Sequence, residues 1–378
     1  TDYAPTGTEL VTNGDFSAGV EKILNGDFTG GSTSWTVSGT DASHSVEFVE
    51  SGARYQSGTT SPTLLLYQDA LVVGKNYVLN VNITYTSGLL RLGSGIPSTD
   101  LVEGLNTLYF VASGVSASFL RGGTNVDCII SNVSVQELGE GWSNDTNVAT
   151  YDANGLTVTS SNGTSDNRVW QTPITEDNKS YKVEYTVFAN GLTGSNELKY
   201  YDGQDYNILN SAVGTHTLYY KRIGTADYWF FRIISSSSTT DFVTISSITV
   251  QELDPNGYWT LVGSGLTIGE DKGIYTDAGV GSYFKNTSFV VVDGKTYRGS
   301  FDIPELTEGG LSWQTALGTV SISPNYGAAD TGLTFDFVGD GSTGIKCIGT
   351  TLDNTSAITN LSVKLLGTYD DQSIYVTA

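Results

Sequence analysis

The chain has 378 residues, with 18 Lys plus Arg against 40 Asp plus Glu, a formal charge of −22, 2 Cys, 2 His and no Met. A protein that neutralises phosphates or lies on an anionic membrane needs basic patches, and none is visible, so the sequence argues against nucleic acid and membrane as partners. Two distant cysteines make no disulfide framework, and no apolar run of about 18 residues or more is present to span a bilayer.

The acidity suits solubility; a salty or calcium-rich environment is the sharper reading. The opening Thr1-Asp2-Tyr3-Ala4-Pro5 lacks the charged-then-apolar pattern of a signal peptide. Residues 1–23 read as a short N-terminal arm. Within it Leu10-Val11-Thr12-Asn13-Gly14-Asp15-Phe16 is echoed by Ile23-Leu24-Asn25-Gly26-Asp27-Phe28, and only the second copy has Trp35 and a full domain behind it. The first copy is then either the remnant of a repeat junction or an arm that anchors to another subunit.

From residue 24 the chain says nearly the same thing three times. Gly74-Lys75-Asn76-Tyr77 returns as Asn178-Lys179-Ser180-Tyr181 and Gly294-Lys295-Thr296-Tyr297. Thr107-Leu108-Tyr109-Phe110 returns as Thr217-Leu218-Tyr219-Tyr220 and Thr334-Phe335-Asp336-Phe337. Ile130-Ser131-Asn132-Val133-Ser134-Val135-Gln136-Glu137-Leu138 returns as Ile245 to Leu253 and, more loosely, as Ile358 to Leu366. The order holds in every copy, and the period is that of a self-contained domain, longer than a solenoid unit of roughly 20–50 residues. The expected domains are 24–138, 139–253 and 254–366, with a tail over 367–378.

Within each phrase the apolar period is two. Tyr77, Leu79, Val81 and Ile83 alternate with Val78, Asn80 and Asn82; Tyr181, Val183, Tyr185 and Val187 alternate with Lys182, Glu184 and Thr186. Such runs are strands with one buried face, and Asn154-Gly155, Asn162-Gly163, Asn190-Gly191 and Asp293-Gly294 punctuate them as turns. No long helical pattern appears. The expected fold is all-β: three tandem jelly-roll β-sandwich domains behind a short N-terminal arm.

No reactive constellation stands out. His44 and His216 lie in different repeats without a neighbour at metal spacing, and no nucleophile elbow or nucleotide-binding glycine loop is present. No acidic position is shared by all three repeats in the matched strands, and we read the chain as no enzyme. The Asn-x-Ser/Thr sequons are those that a chain rich in Asn, Ser and Thr makes by chance. The middle repeat is rich in rings. In Tyr228-Trp229-Phe230-Phe231-Arg232 both faces of a strand are aromatic, so one face lies outside the core, against ligand, neighbouring domain or partner subunit. Trp170, Tyr200, Tyr201, Tyr228 and Trp229 are therefore the candidate ligand-binding residues, because exposed rings can stack on the apolar faces of sugars.

The string Leu-Val-Thr-Asn-Gly-Asp-Phe-Ser (Leu10 to Ser17, echoed at Leu24 to Phe28), then Trp35, Gly74 to Tyr77 and Ile130 to Leu138 resembles the jelly-roll repeats of virion structural proteins of tailed phages, marine ones above all. Those repeats are similar in turn to carbohydrate-binding modules found beside xylanases and glucanases. The second and third repeats depart from the pattern: they open with Gly141-Trp142 and Gly257-Tyr258-Trp259 and lack Asn-Gly-Asp-Phe. The resemblance implies a fibre, appendage or capsid decoration protein on the virion surface. It would contact other virion proteins through the arm, form a homo-oligomer with a trimer favoured, and touch host-surface glycans. It also implies a structural calcium in the first repeat, held by Asp27 with Asn132 at the closing position. The alternative is an extracellular, secreted bacterial glycan-binding, adhesin or surface-layer array.

Overall fold

The computed structural model describes residues 6–145, 148–160, 167–225, 228–234, 239–269 and 272–366; the expected tail, 367–378, lies outside the described residues. Among the described residues every element is a strand, and every sheet is antiparallel. The period-two runs are the reason. In Asn76–Ser87 the side chains of Tyr77, Leu79, Val81 and Ile83 are fully enclosed while Asn80 and Asn82 look outward.

Among the described residues six sheets form three sets, each set enclosing a cluster of buried apolar side chains. One sheet of each set has the closing strand at its centre. In the first the order is His44–Val49, Gly52–Ser57, Val126–Leu138, Asn76–Ser87, Gly104–Val111. In the second it is Ala149–Asp152, Gly155–Thr159, Phe242–Leu253, Ser180–Asn190, Gly214–Lys221. In the third it is Leu266–Ile268, Lys272–Ala278, Asn354–Leu366, Thr296–Glu308, Asp330–Val338. The opposing sheets also match in order over four strands; among the described residues the first two sets add a fifth that the third lacks. That of the middle set runs Ser143–Asn144, Arg168–Gln171, Trp229–Ile234, Glu197–Tyr201, Tyr206–Ile208. These are jelly-roll sandwiches, with non-consecutive strands adjacent as that fold requires.

The recurring phrases have local causes. The hydroxyls of Tyr77, Tyr181 and Tyr297 accept the N–H of Val72, Glu176 and Val292 at 2.9, 2.7 and 2.9 Å, which fastens the turn ahead of each strand. The rings of the same tyrosines stack on Phe110, Tyr220 and Phe337 at 5.8, 5.6 and 5.5 Å, and so tie the first phrase to the second. In the closing phrase Asn132 and Asn360 take a left-handed backbone (φ 51° and 53°) at irregularities in the ladder, a conformation that Asn tolerates better than branched residues.

The N-terminal segment corrects an expectation. Residues 6–16 do not form a separate arm reaching for another subunit: Thr6–Glu9 adds antiparallel to Phe242–Leu253 in the middle sandwich of the same chain, and Val11 and Phe16 enter that sandwich's core. The echo over residues 21–28 does the same for the first sandwich, where Ile23 and Phe28 are buried. The two straps match contact by contact. Glu9 Oε1 accepts the N–H groups of Val11 and Val250 at 2.8 and 2.9 Å; Glu21 Oε1 accepts those of Ile23 and Val135 at 2.9 and 2.7 Å. Gln171 brackets Thr12, accepting its N–H at 2.7 Å and donating to its carbonyl at 2.8 Å; Gln68 brackets Leu24 at 2.8 and 3.0 Å. The Gly14 and Gly26 carbonyls accept from Ile248 and Val133 at 2.7 and 2.9 Å, and a Cβ on either glycine would sit 2.0 or 1.9 Å from the carbonyl oxygen of that partner. Trp142 donates its indole N–H to Asn13 and rests 5.4 Å from the Phe16 ring; Trp35 donates to Asn25 and rests 5.0 Å from Phe28. The middle repeat lacks its own Asn-Gly-Asp-Phe because the far end of the chain supplies it.

Candidate functional site

The opposing sheet of the middle sandwich is aromatic on both faces, as Tyr228 to Arg232 implies. Val169, Trp229, Phe231 and Ile233 point into the core, so Arg168, Trp170, Phe230 and Arg232 must line the outer face. Glu197–Tyr201 follows the same rule: Leu198 and Tyr200 turn inward and Tyr201 outward. This divides the five candidate residues. Trp229 is fully enclosed and stacks on Tyr200 at 5.2 Å, so both are core residues and are withdrawn as ligand contacts. Trp170, Tyr201 and Tyr228 lie on the outer face, which the structure brings together with Tyr206, Phe230 and three arginines that the sequence reading did not single out.

On that face Phe230 forms a floor. It is buried, yet belongs to no core cluster; the rings of Tyr201, Tyr206 and Tyr228 lie at 6.1, 6.0 and 5.7 Å from it. Guanidinium groups sit over the surrounding rings: Arg168 at 5.5 Å over Trp170, Arg222 at 5.5 and 5.7 Å over Tyr201 and Tyr228, and Arg232 at 4.4 Å over Tyr206. Arg168 is aimed by Asp145, whose carboxylate it grips at 3.1 and 3.2 Å. Arg222, fully buried, donates to the Tyr201 carbonyl at 2.9 Å. Three of the seven arginines of a chain with charge −22 therefore converge on one aromatic surface.

Arg168, Trp170, Tyr228 and Phe230 line a hollow of about 200 Å³. That is smaller than the roughly 300–1,000 Å³ typical of drug-sized ligands and suits a single ring. The chemistry on offer is stacking from the aromatic faces and directed N–H donation from guanidinium, fit for a flat or puckered ring carrying oxygen acceptors. The outward positions of these two strands differ in the other sandwiches: by strand register Leu65, Tyr67, Ser118 and Leu120 stand where Arg168, Trp170, Phe230 and Arg232 do in the middle copy, and Tyr283, Lys285, Lys346 and Ile348 stand there in the third. The third copy keeps one cation over a ring there, Lys346 at 5.1 Å over Tyr283, while the arginines belong to the middle copy.

The calcium residues fare differently. Asp27 is exposed, and its Oδ1 accepts the N–H and hydroxyl of Thr29 at 3.1 and 3.0 Å, bonds that hold the carboxyl below its ordinary range and close a local turn. Asn132 is exposed on the bulge, and the Gly26 carbonyl beside Asp27 already accepts from Val133. Calcium takes six to eight oxygens. One carboxylate engaged in its own turn does not make such a donor set, and among the described residues no group of three or more His, Cys, Asp or Glu gathers elsewhere. The residues present do not fit the ion.

No family model matches the chain, and no curated protein matches it. Solved structures similar to it include the CBM22-1–CBM22-2 tandem domain of Paenibacillus barcinonensis Xyn10C, at 7% identity and a TM-score of 0.23, covering 67% of this chain and 100% of that one. The Sulfolobus Turreted Icosahedral Virus structure matches at 12% identity and a TM-score of 0.20, covering 87% and 89%. A structure described as the triple jelly roll fold and turret assembly in an archaeal virus matches at 11% and 0.20, covering 87% and 88%. Likeness at these scores carries no argument, and the sandwich architecture rests on the chain's own strand order and its buried clusters.

Proposed function

We propose that the chain is a structural protein displayed on a phage particle, without catalytic activity, whose middle sandwich binds a sugar ring of the host surface in the hollow between Trp170 and Tyr228. The observation that carries the binding reading is the outer face of that sandwich, where rings, arginines and a lined hollow meet; its neighbours have no arginine at the positions of Arg168 and Arg232. Rings that only filled a core would not leave a lined hollow on the solvent side. The virion reading is supported by the repeat phrases and the acidic surface, and it carries self-association with it, a trimer being favoured.

Binding is tested by titrating neutral and acidic oligosaccharides against the full chain and against Trp170→Ala and Tyr228→Ala. Millimolar or tighter binding that both variants lose supports the reading; binding that survives both removes the site. Mass spectrometry of purified particles tests the rest, and its absence from every virion fraction would remove the particle assignment.

A further inference from the structure

We propose that the sugar site of the middle sandwich continues into a cleft shared with the first sandwich, so that its ligand is an oligosaccharide and not a single ring. This rests on the reading of the aromatic hollow as a sugar site. The cleft lies where the two sandwiches meet. Val73, Lys75, Asn76 and Val111 come from the first, and Ser143 and Tyr151 from the second, around a space of about 450 Å³. That is more than twice the hollow and falls within the usual range for small-ligand sites.

The cleft and the hollow share a border. Ser143–Asn144 is the edge strand of the opposing sheet, and it pairs with Arg168–Gln171 so that Ser143 stands directly opposite Trp170. Residues paired in this way point to the same face of a sheet, so Ser143 looks outward as Trp170 does. Ser143 lines the cleft and Trp170 lines the hollow. Neighbouring strands lie about 5 Å apart, close to the length of a sugar ring. A ring seated on Trp170 therefore places its next unit over Ser143, at the mouth of the cleft.

A second observation is independent of that border. Asn76 stands one step before Tyr77, and alternation turns it outward with Val78, which enters the apolar cluster of the second sandwich. The junction thus buries Asn76, which is 8% exposed, yet its amide makes no hydrogen bond to any described residue. An amide so enclosed has two donors and an acceptor to satisfy. On the other wall Tyr151 is buried too, and its hydroxyl has no partner. At the second junction Ser180 stands in place of Asn76, Lys221 in place of Val111, and Asp254 in place of Gly139. The buried Asp254 carboxyl accepts the N–H groups of Tyr258 and Trp259 at 3.0 and 2.7 Å. That polar side chain is satisfied within the chain; Asn76 is not. An amide that donates and accepts matches adjacent sugar hydroxyls, and Val73, Val111 and Leu138 offer apolar walls to C–H faces. The Lys75 ammonium is already paired with Glu137 at 3.3 Å, which suits the cleft to a neutral unit.

The test titrates the full chain by calorimetry with three ladders: glucose, cellobiose and cellotriose; N-acetylglucosamine, chitobiose and chitotriose; galacturonic acid with its dimer and trimer. In the ladder that binds, the expected gain from monomer to trimer is at least about tenfold, that of one or two hydrogen bonds to a buried amide. Asn76→Ser and Val111→Lys, which copy the second junction, should each remove that gain; Val111 is exposed, so its variant keeps the fold even if the other does not. With asparagine nitrogen-labelled in the parent chain, the trimer should shift the Asn76 side-chain amide signals in NMR spectra and the monomer should not. Equal affinity at every length, a gain that the variants keep, or Asn76 signals that the trimer leaves in place overturns the extension and leaves the hollow standing. If no ladder binds, the reading of the hollow falls and the extension falls with it.

Discussion

Phe16→Ala should loosen a sandwich whose sequence begins more than a hundred residues later. The Phe16 ring is 2% exposed and lies 5.4 Å from Trp142 and 6.1 Å from Tyr151, within the core that Val250 and Ile248 line from the closing strand. Truncating a phenylalanine so enclosed costs about 3–5 kcal/mol, the transfer of the ring plus the void it leaves. That is a change of roughly 150- to 5,000-fold in the opening equilibrium. Hydrogen exchange with mass spectrometry reads it directly. Amides of Phe242–Leu253 should lose protection by that factor while those of Val126–Leu138 keep most of theirs. Phe28→Ala, whose ring sits 5.0 Å from Trp35, should do the reverse. If Phe16→Ala leaves the middle closing strand unchanged, or loosens both sandwiches alike, the strap assignment is wrong.

Trp170→Ala should abolish sugar binding with little change in stability, whereas Trp229→Ala, which empties a fully enclosed site, should lower stability by about 3–5 kcal/mol; urea denaturation beside a binding titration separates them. Burial pushes the thiols of Cys128 and Cys347 up to about 12, so a thiol reagent at mildly alkaline pH should label neither in the native chain and both after unfolding. The Asp127 carboxyl is held below its ordinary 3.8 by hydrogen bonds from Arg54, chiefly, and Gln56. A depressed carboxylate stabilises the fold above that pH and stops doing so as pH falls through the folded value. Asp127→Asn should therefore cost a little stability at neutral pH, and the difference from the parent chain should vanish in acid, by denaturation midpoints across pH.

The sandwiches were legible because a strand's buried face repeats every second residue, and because triplication let each phrase vouch for the others. The faces of the aromatic strand were not. Alternation says that Trp229 and Phe230 part company, and Tyr200 from Tyr201, but both sets are aromatic and the pattern cannot say which looks inward. The three arginines escaped for a related reason: Arg168, Arg222 and Arg232 are far apart in sequence and meet only when the sheet is formed. The strap was half legible. Glu9 to Phe16 repeats Glu21 to Phe28 at a fixed offset, and Trp142 stands without the Asn-Gly-Asp-Phe that precedes Trp35. Together these said that one copy was spare, while the second and third repeats both lacked one. What the sequence could not say is that the spare closes the gap across 241 positions, since no local pattern reports a contact at that range.

That long closure changes what the tandem is mechanically. Consecutive sandwiches joined by a short connection alone would be free to swing. Here the two straps are consecutive, with Phe16 in the second core and Ile23 in the first, so the segment between them is a second tie across the same junction. Val78 and Leu138 of the first sandwich pack into the same cluster as Phe16 and Trp142. Gly139, at φ 66°, passes so close to the Tyr151 ring that a Cβ would lie 2.3 Å from it. Two covalent connections and a shared apolar contact resist bending far better than one, because each removes orientations that the other leaves open. Cutting the chain between Phe16 and Gly19 should thus leave both sandwiches folded while freeing their relative motion, and the donated strap should remain bound by its own ladder and ring.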